Sequence, residues 1–223
     1  MNPVPLELRD ICKTYRQGDA VIHALRDVNL TIEPGDFVSI TGQSGSGKST
    51  LMNILGCLDI PTSGSYLIGG QDTSNMPPHR LSSLRSHTIG FIFQNFCLIP
   101  DLSALENVEL PLLYQGIPRK ERREMAQTAL ERVGLSERLH HRPNQMSGGQ
   151  QQRVAVARAI ASEPGVILAD DPTGNLDRSA GEGVMSILQQ LNQEGKTVVL
   201  ITHDDKIAKT ARTHVYIRDG IVN

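Results

Sequence analysis

The chain has 223 residues, 39% of them hydrophobic, which is enough to bury a sizeable core in one domain, with or without an insertion. Its 22 basic and 24 acidic residues leave a formal net charge of -2, and its most basic segment, RKERREMAQTALERVGL, interleaves glutamates with the bases as a solvated helix face does. Composition therefore gives no reason to expect DNA or RNA as a partner, and apolar runs such as TVVLIT are far shorter than the roughly 20 residues of a membrane-spanning helix.

Strands dominate the N-terminal part of the chain. The segments LELRDICKTY, HALRDVNLTI and GDFVSITG are predicted to form three strands, and the third runs into a glycine-rich loop. The segment KSTLMNILGCL follows the loop with apolar residues at helical spacing, namely Leu51, Ile54, Leu55 and Leu58. A strand, a glycine loop and a helix are therefore expected in that order.

Helices dominate the middle of the chain, and the alternation of strand and helix resumes after it. Beyond the strand TIGFIFQ, a helical pattern extends from about residue 103 to 164. From Val166 onward we predict the strand VILAD, a helix over about 179–194, the strand TVVLIT, a short helix from Asp204 and a final hairpin, THVYIRDGIV. The helical segment is thus predicted to be an insertion between two halves of one parallel sheet.

The three cysteines, Cys12, Cys57 and Cys97, lack metal-ligand spacing. With an odd count and no signal peptide, we interpret them as packed thiols of a protein in a reducing cytosol.

The glycine-rich loop GQSGSGKST has the spacing GxxxxGK[ST]. Its glycines would let backbone N–H groups turn toward a polyphosphate, and the following helix would direct its positive dipole end at the same charge. Lys48 would reach the β and γ phosphates, and the Ser49 hydroxyl would ligate Mg²⁺. The alternative is a flexible Gly/Ser loop, but at ordinary composition the four fixed positions of the motif would occur by chance in only roughly 1% of chains of this length. The predicted nucleotide-binding residues are Gly42, Gln43, Ser44, Gly45, Ser46, Gly47, Lys48, Ser49 and Thr50.

Two adjacent carboxylates end the apolar strand in VILADDPTGNLD. A rigid carboxylate at the carboxyl edge of a sheet suits a metal, so Asp170 is predicted to hold Mg²⁺ together with Ser49. Neighbouring strand residues point to opposite faces, so the two aspartates differ in role unless the strand ends between them. Asp171 is predicted to act as general base or to orient the attacking water. The alternative is that Asp171 merely caps the turn before Pro172.

The segment MSGGQQQR sets a small hydroxyl and two glycines, Ser147, Gly148 and Gly149, before an apolar-periodic helix. A helix start of this kind can bind a second anion, and it can equally serve as a helix cap and nothing more.

The motifs GQSGSGKST, MSGGQ, VILADD, GNLD and THD occur in this order over nearly the whole chain. In this they resemble the ATP-binding cassette (ABC) transporter ATPase subunits. The resemblance implies an α/β fold: a P-loop NTPase core with a parallel sheet, an N-terminal antiparallel β subdomain and an inserted α-helical subdomain. One domain would span residues 1–223, with the core over 1–94 and 165–223 and the helical subdomain over 95–164.

The same resemblance implies the cofactors ATP and Mg²⁺ and a head-to-tail dimer with a second copy. Each ATP would lie between the phosphate loop of one subunit and the signature residues of the other, Ser147, Gly148, Gly149 and Gln150. The further expected partner is an integral membrane permease, not a nucleic acid. The subunit would then be peripheral at the cytoplasmic face of the inner membrane.

Three further residues receive roles from the resemblance alone. Gln94 matches the Q-loop glutamine, expected near Mg²⁺ and the attacking water. His203 matches the switch histidine that contacts the γ phosphate, although a lone histidine at a strand end is more often just exposed. Tyr15 matches the aromatic that stacks on adenine, although on sequence alone a core tyrosine is equally expected. GNLD, residues 174–177, matches the D-loop at the dimer interface.

Finer similarity points to subunits that serve lipoprotein-release and macrolide-export permeases, the MacB/LolD-like branch. One departure concerns catalysis, since the family has Glu where this chain has Asp171. Aspartate shortens the reach by about 1.5 Å, and a misplacement of about 1 Å can cost on the order of 100-fold in rate. An ATP-gated subunit with impaired hydrolysis is therefore one alternative function, and a soluble ABC ATPase without a permease is another.

Overall fold

The computed structural model describes residues 4–18 and 20–222. Its strands are β1 Leu6–Gln17, β2 Ala20–Ile32, β3 Phe37–Thr41, β4 Ser63–Ile68, β5 Gln71–Asp72, β6 Ile89–Ile92, β7 Val166–Asp170, β8 Thr197–Ile201, β9 Thr213–Arg218 and β10 Ile221–Val222. Its α-helices are α1 Lys48–Leu55, α2 Pro78–Thr88, α3 Ala104–Tyr114, α4 Arg119–Arg132, α5 Gly148–Ile160, α6 Arg178–Gln193 and α7 Asp205–Ala208. Two 3₁₀ turns, Ser136–Arg138 and Pro143–Gln145, connect α4 to α5.

The strands form two sheets. A four-stranded antiparallel sheet has the order β2-β1-β4-β5, and a six-stranded sheet has the order β10-β9-β3-β8-β7-β6. In the larger sheet β9, β3, β8, β7 and β6 are parallel, and only β10 is antiparallel to its neighbour. Because parallel strands share one direction, the chain leaves β3, β7 and β8 at the same edge of this sheet.

Burial explains the composition of the strands. Every residue of β8 is buried, as are the first four of β3 and β7, so these strands read as nearly continuous apolar runs. β2 is buried on one side only, with Leu25, Val28 and Ile32 inside. Its apolar face joins α1 and one face of the parallel sheet in a single core cluster.

Helices α3, α4 and α5 pack on one another and share a second cluster with the other face of the parallel sheet. A capping box at Ser103 and Glu106 begins α3. The described residues contain no helix long and apolar enough to cross a membrane.

The predicted α/β fold class is confirmed, since both sheets and the inserted helices occur as expected. The division at residues 95 and 164 stays a prediction. The predicted helix over 179–194 is observed as α6, one residue earlier at each end. Helix α2 escapes sequence analysis because it is mostly polar and buries only Leu81 and Thr88.

Two smaller expectations are wrong. Leu58 does not continue α1, which ends at Leu55, and its side chain is exposed. Only Cys57 is a buried thiol, where burial raises its pKa to about 11, whereas Cys12 is half-buried and Cys97 is exposed. Leu58 and Cys97 lie in loops, and Cys12 lies in β1, so the burial of all three depends on distant segments.

Candidate functional site

The phosphate loop connects β3 to α1, as predicted, and its backbone requires glycine. Gly47 has φ 108°, and a Cβ at this residue would lie 2.5 Å from the carbonyl oxygen of Ala24. A Cβ at Gly42 would lie 2.2 Å from the carbonyl oxygen of Ile217. Other backbone segments therefore press on the loop from outside, which leaves its inner side to the backbone N–H groups.

Lys48 folds back over this loop. Its Nζ donates to the carbonyl oxygens of Gly42, at 2.7 Å, and Gln43, at 2.6 Å. Burial lowers the pKa of Lys48, and the charge of Asp170 counteracts that effect. Ser46 Oγ is buried without a hydrogen-bond partner among the described residues. The loop thus holds a cation and a buried hydroxyl without a partner among the described residues, both suited to phosphate oxygens.

The two adjacent aspartates lie in different environments. β7 ends at Asp170, and Asp171 has a positive φ of 42°, so the strand ends between them. Burial raises the pKa of Asp170, the charge of Asp171 raises it further, and Lys48 opposes both effects. Asp170 is therefore electrostatically linked to the phosphate loop.

Asp171 is tied instead to the segment after β8. Its backbone N–H donates to the carbonyl oxygen of Ile201 at 2.8 Å, and Thr202 Oγ1 lies 3.4 Å from its Oδ1. His203 Nδ1 lies 3.0 Å from its Oδ2. The structure thus brings Asp171 and His203, two of the three predicted catalytic residues, into contact.

Gln94 joins this cluster through the GNLD segment. The Asn175 amide donates to the carbonyl oxygen of Gln94 at 3.1 Å and to Asn95 Oδ1 at 2.9 Å. A Cβ at Gly174 would lie 2.3 Å from Asp171 Oδ2 and 2.8 Å from Gln94 Nε2. Sequence analysis did not assign Asn175 to the Gln94 loop, and only its place in the D-loop motif could have suggested it.

Ser147 caps α5 through a reciprocal pair of hydrogen bonds. Its Oγ accepts from the Gln150 N–H at 3.3 Å, and Gln150 Oε1 accepts from the Ser147 N–H at 3.0 Å. A Cβ at Gly149 would approach Ala180 Cβ to 2.7 Å, so glycine is needed where α6 packs closely. Among the described residues, no hydrogen bond joins this helix start to the phosphate loop of the same chain. Ser147 therefore serves as the N-cap of α5, and it remains exposed to solvent.

Tyr15 is not a core tyrosine, because 37% of its surface is exposed. Its hydroxyl donates to Asp59 Oδ2 at 2.7 Å, and Lys13 Nζ lies 4.9 Å from its ring centroid. Lys13 also donates to Asp59 Oδ1 at 2.6 Å. Lys13 lies in β1 and Asp59 in the loop after α1, so no local pattern in the sequence relates them to Tyr15 as a group.

The predicted metal ligands are chemically suited to Mg²⁺ held jointly with phosphate. Ser49, Gln94 and Asp170 offer hydroxyl, amide and carboxylate oxygens, the hard donors that Mg²⁺ prefers. The described residues contain no group of three or more His, Cys, Asp or Glu that could hold a metal ion. Mg²⁺ is usually bound through one or two carboxylates and completes its shell with phosphates and water.

Comparison with known proteins identifies the family. Residues 25–174 match the sequence profile described as ABC transporter. The macrolide export ATP-binding/permease protein MacB of Hyphomonas neptunium is 53% identical over 220 residues, which are 99% of this chain and 34% of that protein. This chain therefore spans about a third of the length of such relatives. An uncharacterized ABC transporter ATP-binding protein of Thermotoga maritima is 53% identical over 96% of this chain and 92% of its own length.

A solved structure agrees in both fold and sequence. The ATP-binding cassette MJ0796, in a dimeric post-hydrolysis state bound to ADP and Pi, superposes with a TM-score of 0.90. The two sequences are 48% identical, and the match covers 98% of this chain and 96% of that one. The chain belongs to the ABC transporter family and is one of its ATP-binding, ATP-hydrolysing cassettes, with ATP and Mg²⁺ as cofactors.

Proposed function

We propose that this cassette hydrolyses ATP as a head-to-tail dimer and thereby drives a membrane permease that carries out export, lipoprotein release or mechanotransmission. In this proposal the residues of the phosphate loop, 42–50, bind the nucleotide phosphates. Ser49, Asp170 and Gln94 hold Mg²⁺, which neutralises phosphate charge when bound. Tyr15 supports the adenine ring.

The observation that carries the proposal is the cluster of Asp171, His203 and Gln94 at the carboxyl edge of the parallel sheet. Asp171 is nearly buried and held by backbone and side-chain contacts, so its carboxylate is preorganised. As general base it accepts a proton from the attacking water, while His203, which is largely exposed, contacts the γ phosphate. Open α/β sheets bind their ligands at this edge.

The dimer follows from the two anion sites on one chain. Ser147 is exposed at the start of a 13-residue helix, where backbone N–H groups attract anions. No described hydrogen bond connects it to the phosphate loop of its own chain, so a second copy is the natural source of the nucleotide it contacts. The dimeric state of the related cassette MJ0796 supports this arrangement.

The permease is proposed from the relatives and from a surface cleft. MacB is named an ATP-binding/permease protein, and this chain corresponds to about a third of it. A cleft of about 960 Å³ lies between α2, β6, α3 and α5, beside the segment that follows Gln94. Its lining combines apolar side chains, among them Phe91, Phe93, Leu110 and Tyr114, with polar ones such as Arg85. A permease segment seated there would place the cassette at the cytoplasmic face of the plasma membrane.

Asp171 carries the second candidate function, an ATP-gated subunit with strongly impaired hydrolysis. Because the carboxylate lies 3.0 Å from His203 Nδ1, part of its hydrogen-bonding capacity is already engaged. Turnover at saturating Mg-ATP separates the two functions: sustained hydrolysis supports the ATPase, and binding without turnover supports the gated subunit. Co-purification of a membrane protein separates both from a soluble ABC ATPase.

Light scattering tests the dimer. We expect a monomer without nucleotide and a dimer with ATP, because ATP held by both subunits stabilises the closed form by mass action. The Asp171→Gln variant lacks the carboxylate proposed as general base, so it should hydrolyse ATP more slowly and prolong the dimer. A mass that ATP leaves unchanged in both proteins would contradict the proposed assembly.

A further inference from the structure

Gln152 is a fully buried polar residue of α5, and the proposed function gives it no role. Its exposed surface is 0%. The side-chain Nε2 donates to the carbonyl oxygen of Pro172 at 2.7 Å and lies 3.4 Å from the carbonyl oxygen of Phe93. One amide nitrogen therefore faces two backbone carbonyls from two different loops.

The two carbonyls flank the proposed catalytic residues. Phe93 immediately precedes Gln94, and Pro172 immediately follows Asp171. Gln152 belongs to the same helix as the signature residues, whose cap at Ser147 lies five positions earlier. A single side chain thus links the signature helix to the backbone beside both the Q-loop glutamine and the general base.

Packing alone does not account for an amide here. Since both carbonyls are acceptors, the nitrogen must face them, and the oxygen must point the other way. Gln152 Oε1 is buried and has no hydrogen-bond partner among the described residues. An unpaired buried acceptor lowers stability. An apolar side chain of similar shape would avoid that cost but would leave the carbonyl oxygen of Pro172 without the Gln152 donor. Such costs are commonly retained at functional sites.

A second contact from α5 holds the other side of Gln94. Arg158 Nη1 donates to the carbonyl oxygen of Cys97 at 2.6 Å, and its Nη2 donates to that of Phe96 at 2.8 Å. Phe96 and Cys97 both have positive φ, at 54° and 50°, a conformation that non-glycine residues adopt only when neighbours hold it. Helix α5 therefore grips the segment 93–97 on both sides of Gln94.

We propose that Gln152 is a positioning residue for ATP hydrolysis. Its side chain links the signature helix α5 to Gln94 through the backbone of Phe93, and to Asp171 through the backbone of Pro172. The proposal rests on the proposed function, since it assumes that Gln94 and Asp171 act in hydrolysis. Because Gln152 is fully buried, it acts through these two backbone contacts. A shift of α5 reaches both catalytic residues through this one amide.

Steady-state kinetics of Gln152→Met test the proposal. Methionine has a similar length but no N–H donor, so the link to Pro172 is lost while most of the volume is kept. We expect kcat to fall at least about tenfold and the KM for Mg-ATP to change less than about threefold, because positioning affects the transition state more than binding. In a Gln94→Ala background the further loss from Gln152→Met should be several-fold smaller, since one of its two routes is already absent.

Gln151→Met is the matched control. Gln151 is the neighbouring residue of α5, and its Nε2 donates at 3.1 Å to the carbonyl oxygen of Met146, away from both catalytic loops. We expect its kcat and KM to stay within about twofold of the wild-type values. Thermal unfolding of each variant establishes that it is folded at the assay temperature. If Gln152→Met is not, Gln152→Leu, which also lacks the donor, takes its place.

Several outcomes would contradict a positioning role for Gln152. Equal kcat values for Gln152→Met and Gln151→Met, full additivity with Gln94→Ala, or failure of both Gln152 variants to fold would overturn the positioning role. All variants are also made in an Asp171→Glu background, which guards against slow wild-type turnover. If neither the wild-type protein nor Asp171→Glu turns over ATP, the proposed ATPase function is overturned, and this proposal with it. If they turn over ATP at a rate that Gln152→Met leaves unchanged, this proposal alone is overturned.

Discussion

His203 Nδ1 lies 3.0 Å from Asp171 Oδ2, although the two residues follow different strands. The contact arises because β7 and β8 are neighbours in the parallel sheet, with Asp170 paired to Ile201. Residues that follow the two strands therefore meet at one edge. The Asp171 side chain is only 12% exposed, whereas the His203 side chain is 72% exposed. The buried carboxylate of Asp171 therefore holds one side of an imidazole that faces solvent.

The length of the side chain at position 171 should limit the rate of hydrolysis. We expect Asp171→Glu to raise steady-state turnover at saturating Mg-ATP by about tenfold or more, because one methylene restores reach toward the attacking water. Nucleotide affinity should barely change, since Lys48, Ser49 and Asp170 are intact. The control is Asp204→Glu, which alters a nearby aspartate that only caps α7. An equal or lower rate in Asp171→Glu would mean that the site is adapted to aspartate.

The cation in the phosphate loop should dominate nucleotide affinity. Lys48→Ala removes the Nζ that now bonds two loop carbonyls and would reach phosphate oxygens. Hydrogen bonds to charged groups contribute about 1.5–3 kcal/mol each, so we expect ATP to bind about 100-fold more weakly or worse. Isothermal titration measures the dissociation constant, with the exposed helix residue Lys120→Ala as control. If Lys48→Ala binds ATP as tightly as the wild-type protein, the loop 42–50 does not bind the nucleotide phosphates as proposed.

Asp59 should orient the proposed adenine platform. Asp59→Ala deletes the acceptor of the Tyr15 hydroxyl and of Lys13. Because aromatic stacking contributes about 0.5–1.5 kcal/mol, we expect ATP affinity to fall by roughly threefold to tenfold. Affinity for inorganic triphosphate, which has no base to stack, should stay the same. The exposed residue Asp101→Ala serves as control, and equal losses for both ligands would speak against a platform at Tyr15.

A buried tyrosine should stabilise the helix that follows the phosphate loop. Tyr66 is 1% exposed, and its hydroxyl donates to the carbonyl oxygen of Leu55, the last residue of α1, at 2.7 Å. Tyr66→Phe leaves that carbonyl unpaired, so the free energy of unfolding should fall by about 1–3 kcal/mol in urea titrations. Tyr216→Phe alters a partly exposed hydroxyl and should change it by less than about 0.5 kcal/mol. Equal stability of the two variants would contradict this account.

Local patterns in the sequence determined the elements of the fold and the parts of the site that lie on a single segment. The spacing of Gly42, Gly47 and Lys48 predicts a phosphate loop because its geometry is set by neighbouring backbone. The apolar run before Asp170 predicts a doubly covered strand because every side chain of such a strand must avoid water. Apolar periodicity does not reveal an element that is mostly polar, such as α2.

Tertiary structure alone decided which distant residues meet. The sheet order places β3, β8, β7 and β6 side by side although they are far apart in the chain, and that order brings Asp171 to His203 and Asn175 to Gln94. Tyr15 is anchored by Asp59, and Gln152 reaches two loops from inside the core, for the same reason. Periodicity and local spacing report only whether a side chain is buried, whereas its partners depend on long-range packing that no short segment encodes.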